Sequence, residues 1–176
     1  MKKIIVIGCP GSGKTTFAEK LNEITGIPLF YLDAVWHKPD RTHISRAEFD
    51  ERLAEIMSLD EWIIDGNYSR TVEVRIQMSD TIFLFDLPTE VCVQGATDRL
   101  GKGRYDMPWI DTELDPNLKR EIEEFPGKNL PVIYELLSKY AAGKQVIMFK
   151  TREEADEYLE RFANNRTIGS TSSFSS

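Results

Sequence analysis

The octapeptide Gly8-Cys9-Pro10-Gly11-Ser12-Gly13-Lys14-Thr15 fills every fixed position of the pattern G-x-x-x-x-G-K-[ST]. No other feature constrains the fold as strongly, because this pattern works where a strand enters it and a helix leaves it. Both are present in the flanks. Lys3-Ile4-Ile5-Val6-Ile7 is a β-branched run suited to a buried strand, and Phe17, Leu21 and Ile24 recur at helical spacing. Glycines at 8, 11 and 13 let the backbone wrap so that N–H groups converge on phosphate oxygens, at a helix N-terminus whose dipole favours an anion. The pattern predicts a nucleoside triphosphate, ATP or another NTP, held by Gly8, Cys9, Pro10, Gly11, Ser12, Gly13, Lys14, Thr15 and Thr16. Lys14 is expected to reach the β- and γ-phosphates as a catalytic charge, the Thr15 hydroxyl to sit on Mg2+, and Thr16 to meet the α-phosphate.

The chain has 176 residues, enough for one well-packed domain and short for two, so a single domain over residues 1–163 is expected. Hydrophobic residues at 41% and charged residues at 29% exclude wholesale disorder. A net charge of −7 disfavours general affinity for DNA or anionic membrane. No apolar stretch is long enough to cross a bilayer and no signal peptide precedes the first strand, which predicts a cytoplasmic protein. The two cysteines, Cys9 in the glycine-rich loop and Cys92 further on, make neither a disulfide framework nor a zinc site. Cys9 reads as loop packing rather than a nucleophile, with oxidation sensitivity expected if the helix dipole lowers its pKa.

Further strands are expected at Ile27–Leu32, ending at Asp33, at Trp62–Ile64, ending at Asp65-Gly66, at Thr81–Phe85, ending at Asp86, and at Gln145–Phe149. Between the second and third, a Ser45 to Glu48 capping box opens a helix with Phe49, Leu53, Ile56 and Met57 on one face. Near-continuous apolar strands separated by helices predict an α/β fold with a parallel sheet covered on both faces, its ligands beyond the strands' carboxyl ends. Asp33, Asp65, Asp86 and the Lys150-Thr151-Arg152 turn then share one edge with the loop. A Thr151 to Glu154 capping box starts the last helix, whose inward residues are Ala155, Tyr158, Leu159 and Phe162. Residues 164–176, rich in Ser, Asn and Thr, read as a flexible tail.

The order of elements resembles the adenylate-kinase-like branch of phosphate-loop kinases. More closely, Leu32-Asp33-Ala34-Val35-Trp36, Trp62-Ile63-Ile64-Asp65-Gly66-Asn67-Tyr68-Ser69, Asp80-Thr81 and Leu87-Pro88 look like the bacterial DNA topology modulation protein family, also called adenylate-kinase-related. The resemblance runs from Met1 to about Phe162. It implies a three-layer αβα phosphate-loop NTPase fold, five strands in the order 2-3-1-4-5, and a mobile lid, expected over roughly residues 99–120. Two departures stand out. Where nucleotide kinases of this branch place arginines four apart, this chain has Gly95 and Arg99, so the residue that would flank the donor base is absent while Arg99 still meets transferring phosphate. The Asp-Gly-x-x-Arg spacing is one residue longer here, from Asp65 to Arg70.

Site residues follow. Asp65 and Asp86 compete to hold water on Mg2+, and the resemblance favours Asp65. Asp33 is a candidate general base or orienting group for an acceptor hydroxyl, with Trp36 and Arg70 on the acceptor side; Asp33 reads equally as a turn residue and Trp36 as a core plug. Gly101-Lys102-Gly103-Arg104-Tyr105 reads as a lid segment whose Arg104, with Arg99, neutralises the moving charge. The acids from Asp111 to Glu124 read as solubilising. Together these residues predict an ATP- and Mg2+-dependent phosphotransferase with a small-molecule acceptor, a nucleoside or nucleotide. The alternatives are a nucleotide-regulated DNA-binding protein acting on topology, which the acidic balance disfavours, and a slow ATPase switch.

Overall fold

The computed structural model describes residues 1–171, with side chains as far as residue 166. Five parallel strands form one sheet in the order β2-β3-β1-β4-β5, as the resemblance implied. β1 (Lys3–Gly8) is central, between β3 (Trp62–Asp65) and β4 (Thr81–Phe85), with β2 (Leu29–Tyr31) and β5 (Gln145–Phe149) at the edges. Ile4, Ile5, Val6 and Ile7 are all fully buried although alternate side chains point to opposite faces, so helices cover both sides. The register sets Val6 beside Asp65 and Gly8 beside Phe85, which brings the ends of β3 and β4 against the loop after β1.

That loop leads into α1 (Lys14–Thr25), which packs against the last helix, α7 (Arg152–Thr171). Phe17 of α1 sits among the rings of Phe83, Phe85, Phe149 and Tyr158, at centroid distances of 4.8 to 6.3 Å, and anchors the helix that carries the loop. A second group joins α4 (Ser69–Met78) and α5 (Thr89–Asp98) to the long α6 (Pro116–Tyr140). α6 contains Pro126 and Pro131, yet buries Ile122, Phe125, Ile133 and Leu137, and this packing outweighs the helix hydrogen bonds that the prolines remove. Pro126 frees the carbonyl of Ile122, which lies 3.9 Å from the Cys9 sulfur.

Three expectations shift. β2 stops at Tyr31 and the chain turns at once into the five-residue α2 (Leu32–Trp36), so Asp33 lies in the first turn of a helix, not at a strand end. The Ser45 hydroxyl accepts from the Glu48 N–H at 3.1 Å and starts α3 (Arg46–Ser58), but the Glu48 carboxylate takes Arg52 at 2.7 Å instead of closing the box. α7 continues to Thr171, since nothing from Asn164 to Arg166 breaks a helix, so the boundary expected at 164 falls inside it; residues 172–176 lie outside the described residues.

Candidate functional site

The glycine-rich loop is shaped by close approach. Gly8 has φ 146° and a Cβ there would lie 2.4 Å from the Phe85 carbonyl oxygen; Gly11 has φ 79° and a Cβ there would lie 2.1 Å from the Cys92 carbonyl oxygen. Only glycine meets both conditions. The Gly8 N–H is engaged by Asn67 Oδ1 at 2.9 Å and the Ser12 N–H by the Cys9 carbonyl at 3.2 Å, so these two residues shape the loop and their amides point to protein rather than ligand. The first helical bond is Phe17 N–H to Gly13 O at 3.1 Å, which leaves the amides of Lys14, Thr15 and Thr16 without intrahelical acceptors at the positive end of α1. Cys9 is buried, and the neighbouring Cys92 thiol together with burial pushes its thiol well above the ordinary range.

The Thr15 hydroxyl donates to Asp65 Oδ2 at 2.7 Å. Asp65 Oδ1 is buried without a partner, and so is the Ser12 hydroxyl in the same loop. Burial raises the Asp65 carboxyl to about 6, against the lowering effects of Lys14 and the Thr15 bond. Asp86 is engaged elsewhere, by Lys150 and by the Tyr134 hydroxyl at 2.6 Å. An orphaned carboxylate oxygen beside a hydroxyl, with Lys14 close enough to act on it, fits a hydrated Mg2+ better than the occupied Asp86 does.

The turn after β3 is held by Arg75, a residue that sequence reasoning did not single out. Arg75 lies on α4 with no exposure, and its guanidinium donates to the carbonyls of Gly66 (2.7 Å), Asn67, Tyr68 (3.2 Å) and Thr71 (3.3 Å). Burial lowers its pKa to about 9. The turn it fixes presents Asn67 to Gly8 and puts Tyr68 at φ 33°, from where the Tyr68 hydroxyl donates to Asp33 Oδ1 at 2.9 Å. One arginine therefore sets both the loop's outer turn and the orientation of Asp33.

On the acceptor side the expected residues separate. Trp36 stacks on His43 at 4.4 Å and meets Phe49 and Tyr68 edge-on, as the wall of a 200 Å³ cavity that Arg46 and Arg70 also line. Arg70 is tied to Asp50 of α3 by two hydrogen bonds, 2.9 and 2.6 Å. Arg99 ends α5, and the irregular segment from there to Asp115 returns at Pro116 to α6, so the last residues of the expected lid are helical. Arg104 pairs with the buried Asp106, whose bond and charge outweigh the effect of burial and raise the Arg104 pKa. The Arg99 pKa is lowered by burial and by Arg104. Trp109 meets His37 edge-on at 5.1 Å and lies 5.4 Å from the Arg41 guanidinium, joining this segment to the chain after α2.

A 480 Å³ cavity is lined by residues 11–17 of the loop and α1, by Arg99, by residues 102–106 and by Arg152 of α7, and is distinct from the one beside Trp36 and Arg70. Lys14, Lys20, Arg99, Lys102, Arg104 and Arg152 bring positive charge to it, with Lys20 tied to Asp156 and Arg104 to Asp106. Such a cleft can hold a polyphosphate.

Solved structures carry the same architecture. Shikimate kinase from Acinetobacter baumannii in complex with shikimate matches with a TM-score of 0.58 at 16% identity, over 94% of each chain. The fold is that of a phosphate-loop kinase. Shikimate kinase from Bacteroides thetaiotaomicron shares this kinase fold with a TM-score of 0.56 at 14% identity, over 93% of this chain and 97% of its own. In sequence, adenylate kinase of Thermotoga petrophila is 31% identical over 80 residues, 46% of this chain. The match spans 36% of that relative's length. No family model matches the chain.

Proposed function

We propose that this chain is an ATP- and Mg2+-dependent small-molecule phosphotransferase, with a nucleoside or nucleotide as acceptor. The observation that carries the reading is the Thr15 to Asp65 hydrogen bond beside an unpartnered carboxylate oxygen, at the mouth of a glycine-rich loop with free amides. Thr15 and Asp65 are the residues that would hold Mg2+. When bound, the ion offsets charge on the β- and γ-phosphates.

The amides of residues 14–16 and Lys14 would grip the triphosphate, while Arg99 and Arg104 would stand over the transferring group. The acceptor hydroxyl attacks the γ-phosphorus, the bond to the β,γ-bridging oxygen breaks, and the nucleoside diphosphate leaves with that electron pair. Asp33, held by Tyr68 on one oxygen, would orient the acceptor hydroxyl and take its proton. Little base strength is needed when the transition state is loose, so the work is positioning. Trp36 and the aromatic cavity beside it suit a planar acceptor.

The Asp65-Gly66-Asn67-Tyr68-Ser69 segment supports placing the chain near the DNA topology modulation family. No helix among the described residues is long and apolar enough to cross a membrane, which fits the proposed cytoplasmic setting.

A screen of nucleosides, nucleoside monophosphates and small hydroxylated metabolites with γ-labelled ATP tests the proposal. Label should move to at least one acceptor with the wild-type protein and to none with Lys14→Ala. Hydrolysis that no acceptor accelerates would contradict it.

A further inference from the structure

We infer that Arg152 is a positioning residue which fixes the peptide planes of the phosphate loop, and that Gly95 is the opening through which it reaches them; this rests on the triphosphate reading above. Arg152 is the first residue of α7, far from the loop in sequence. Its Nη2 donates to the Gly11 carbonyl at 2.9 Å and to the Val91 carbonyl of α5 at 3.2 Å, and its Nε donates to the Ser12 carbonyl at 3.3 Å.

In a trans peptide the C=O and the following N–H point in opposite directions. The Gly11 carbonyl shares its plane with the Ser12 N–H, which Cys9 O already accepts, so that peptide is pinned at both ends. The Ser12 carbonyl shares its plane with the Gly13 N–H, so drawing the oxygen toward Arg152 turns that N–H away from the guanidinium, at the N-cap of α1. Both peptides border glycines, at φ 79° for Gly11 and 101° for Gly13, where the backbone turns over most easily. The Ser12–Gly13 peptide turned over would present a carbonyl oxygen in place of the Gly13 N–H at the start of α1. The guanidinium also polarises the Ser12–Gly13 peptide, which strengthens the Gly13 N–H as an anion donor.

Residue 95 must be small for this to work. A Cβ at Gly95 would lie 2.2 Å from Arg152 Nη2 and 2.2 Å from the Gly11 oxygen. Lysine cannot replace arginine, because a single ammonium lacks the planar fork that spans three carbonyls.

Calorimetric titration of the full chain with Mg·ATP and with inorganic tripolyphosphate, which has no base, tests the inference. Arg152→Ala, Arg152→Lys and Gly95→Ala should each weaken both ligands by about 10-fold, roughly the effect of losing one charge-assisted contact. Arg161→Ala, on an exposed part of the same helix, should leave both unchanged. Added methylguanidine should restore binding to Arg152→Ala and not to Arg152→Lys, a rescue that a merely structural role would not give. Folded Arg152→Ala or Gly95→Ala that binds tripolyphosphate as the wild type does overturns the inference alone. Failure of the wild type to bind either ligand overturns the triphosphate reading with it.

Discussion

The glycine-rich loop and the region around Asp33, Trp36 and Arg70 are built differently. On the proposed donor side the amides are aimed first by main-chain geometry, with glycines wedged against Phe85 and Cys92, a helix start, and a strand register that sets Asp65 beside Val6; Asn67 and Arg152 brace that frame. On the proposed acceptor side the polar groups are held by side chains of other segments, Tyr68 on Asp33 and Asp50 on Arg70, and in the neighbouring irregular segment Arg104 is held by Asp106, two residues on. The donor half is rigid because the core makes it so. The acceptor half is a set of side-chain pairs that can exchange partners when a ligand arrives, so single substitutions should stop chemistry on one side and tune it on the other.

The largest effect is expected at Lys14. Lys14→Ala should cut phosphoryl transfer by about 10³-fold, as removal of a charge aimed at the transition state does, with the melting temperature unchanged.

Asp65→Asn should come next, with opposite signs for activity and stability. The Asp65 carboxyl sits near 6 against an ordinary 3.8, so between those values the native state keeps a proton that the unfolded chain has lost. Stability of the ligand-free protein must then fall as pH rises through that window and level off above it. Asparagine should abolish this slope in pH-dependent melts and raise stability at neutral pH by on the order of 2–3 kcal/mol, while transfer falls about 100-fold. A wild-type profile that rises from pH 4 to 6 through this group would contradict the assignment.

Arg75→Met should destabilise the fold by about 3 kcal/mol in denaturant unfolding, because it strips a donor from four carbonyls at once. Tyr68→Phe removes one contact to Asp33 and should lower kcat about 5- to 10-fold with ATP affinity unchanged. The smallest structural effect belongs to Asp50→Ala, which frees the exposed Arg70: melting should move by no more than about 1 °C, and only the KM for the acceptor should change.

The same contrast governs how much could be read from the sequence. The loop pattern, the Ile- and Val-rich strands and the Thr151 to Glu154 box are local signals, and all appear where expected, the box with Glu154 N–H on Thr151 at 3.1 Å. The order of the strands came from the resemblance, not from periodicity. Asp33 reads as the end of a strand because the five-residue helix that holds it is too short to show a period. α6 gave no clear helical signal, since Pro126 and Pro131 argue against a helix that only tertiary packing sustains. Arg75 looks like any surface arginine of an amphipathic helix until the turn after β3 folds over it. Arg152 was legible as part of a turn near the loop, but its direction depends on the missing side chain at Gly95. Partners far apart in sequence leave no local trace.

The most direct test of the account is calorimetry of the purified chain with Mg·ATP, wild type beside Lys14→Ala. The account predicts one saturable site per chain in the wild type, weaker without Mg2+ and lost in a Lys14→Ala protein that melts normally. No heat with any purine or pyrimidine triphosphate in excess Mg2+, or equal binding by the two proteins, would contradict it.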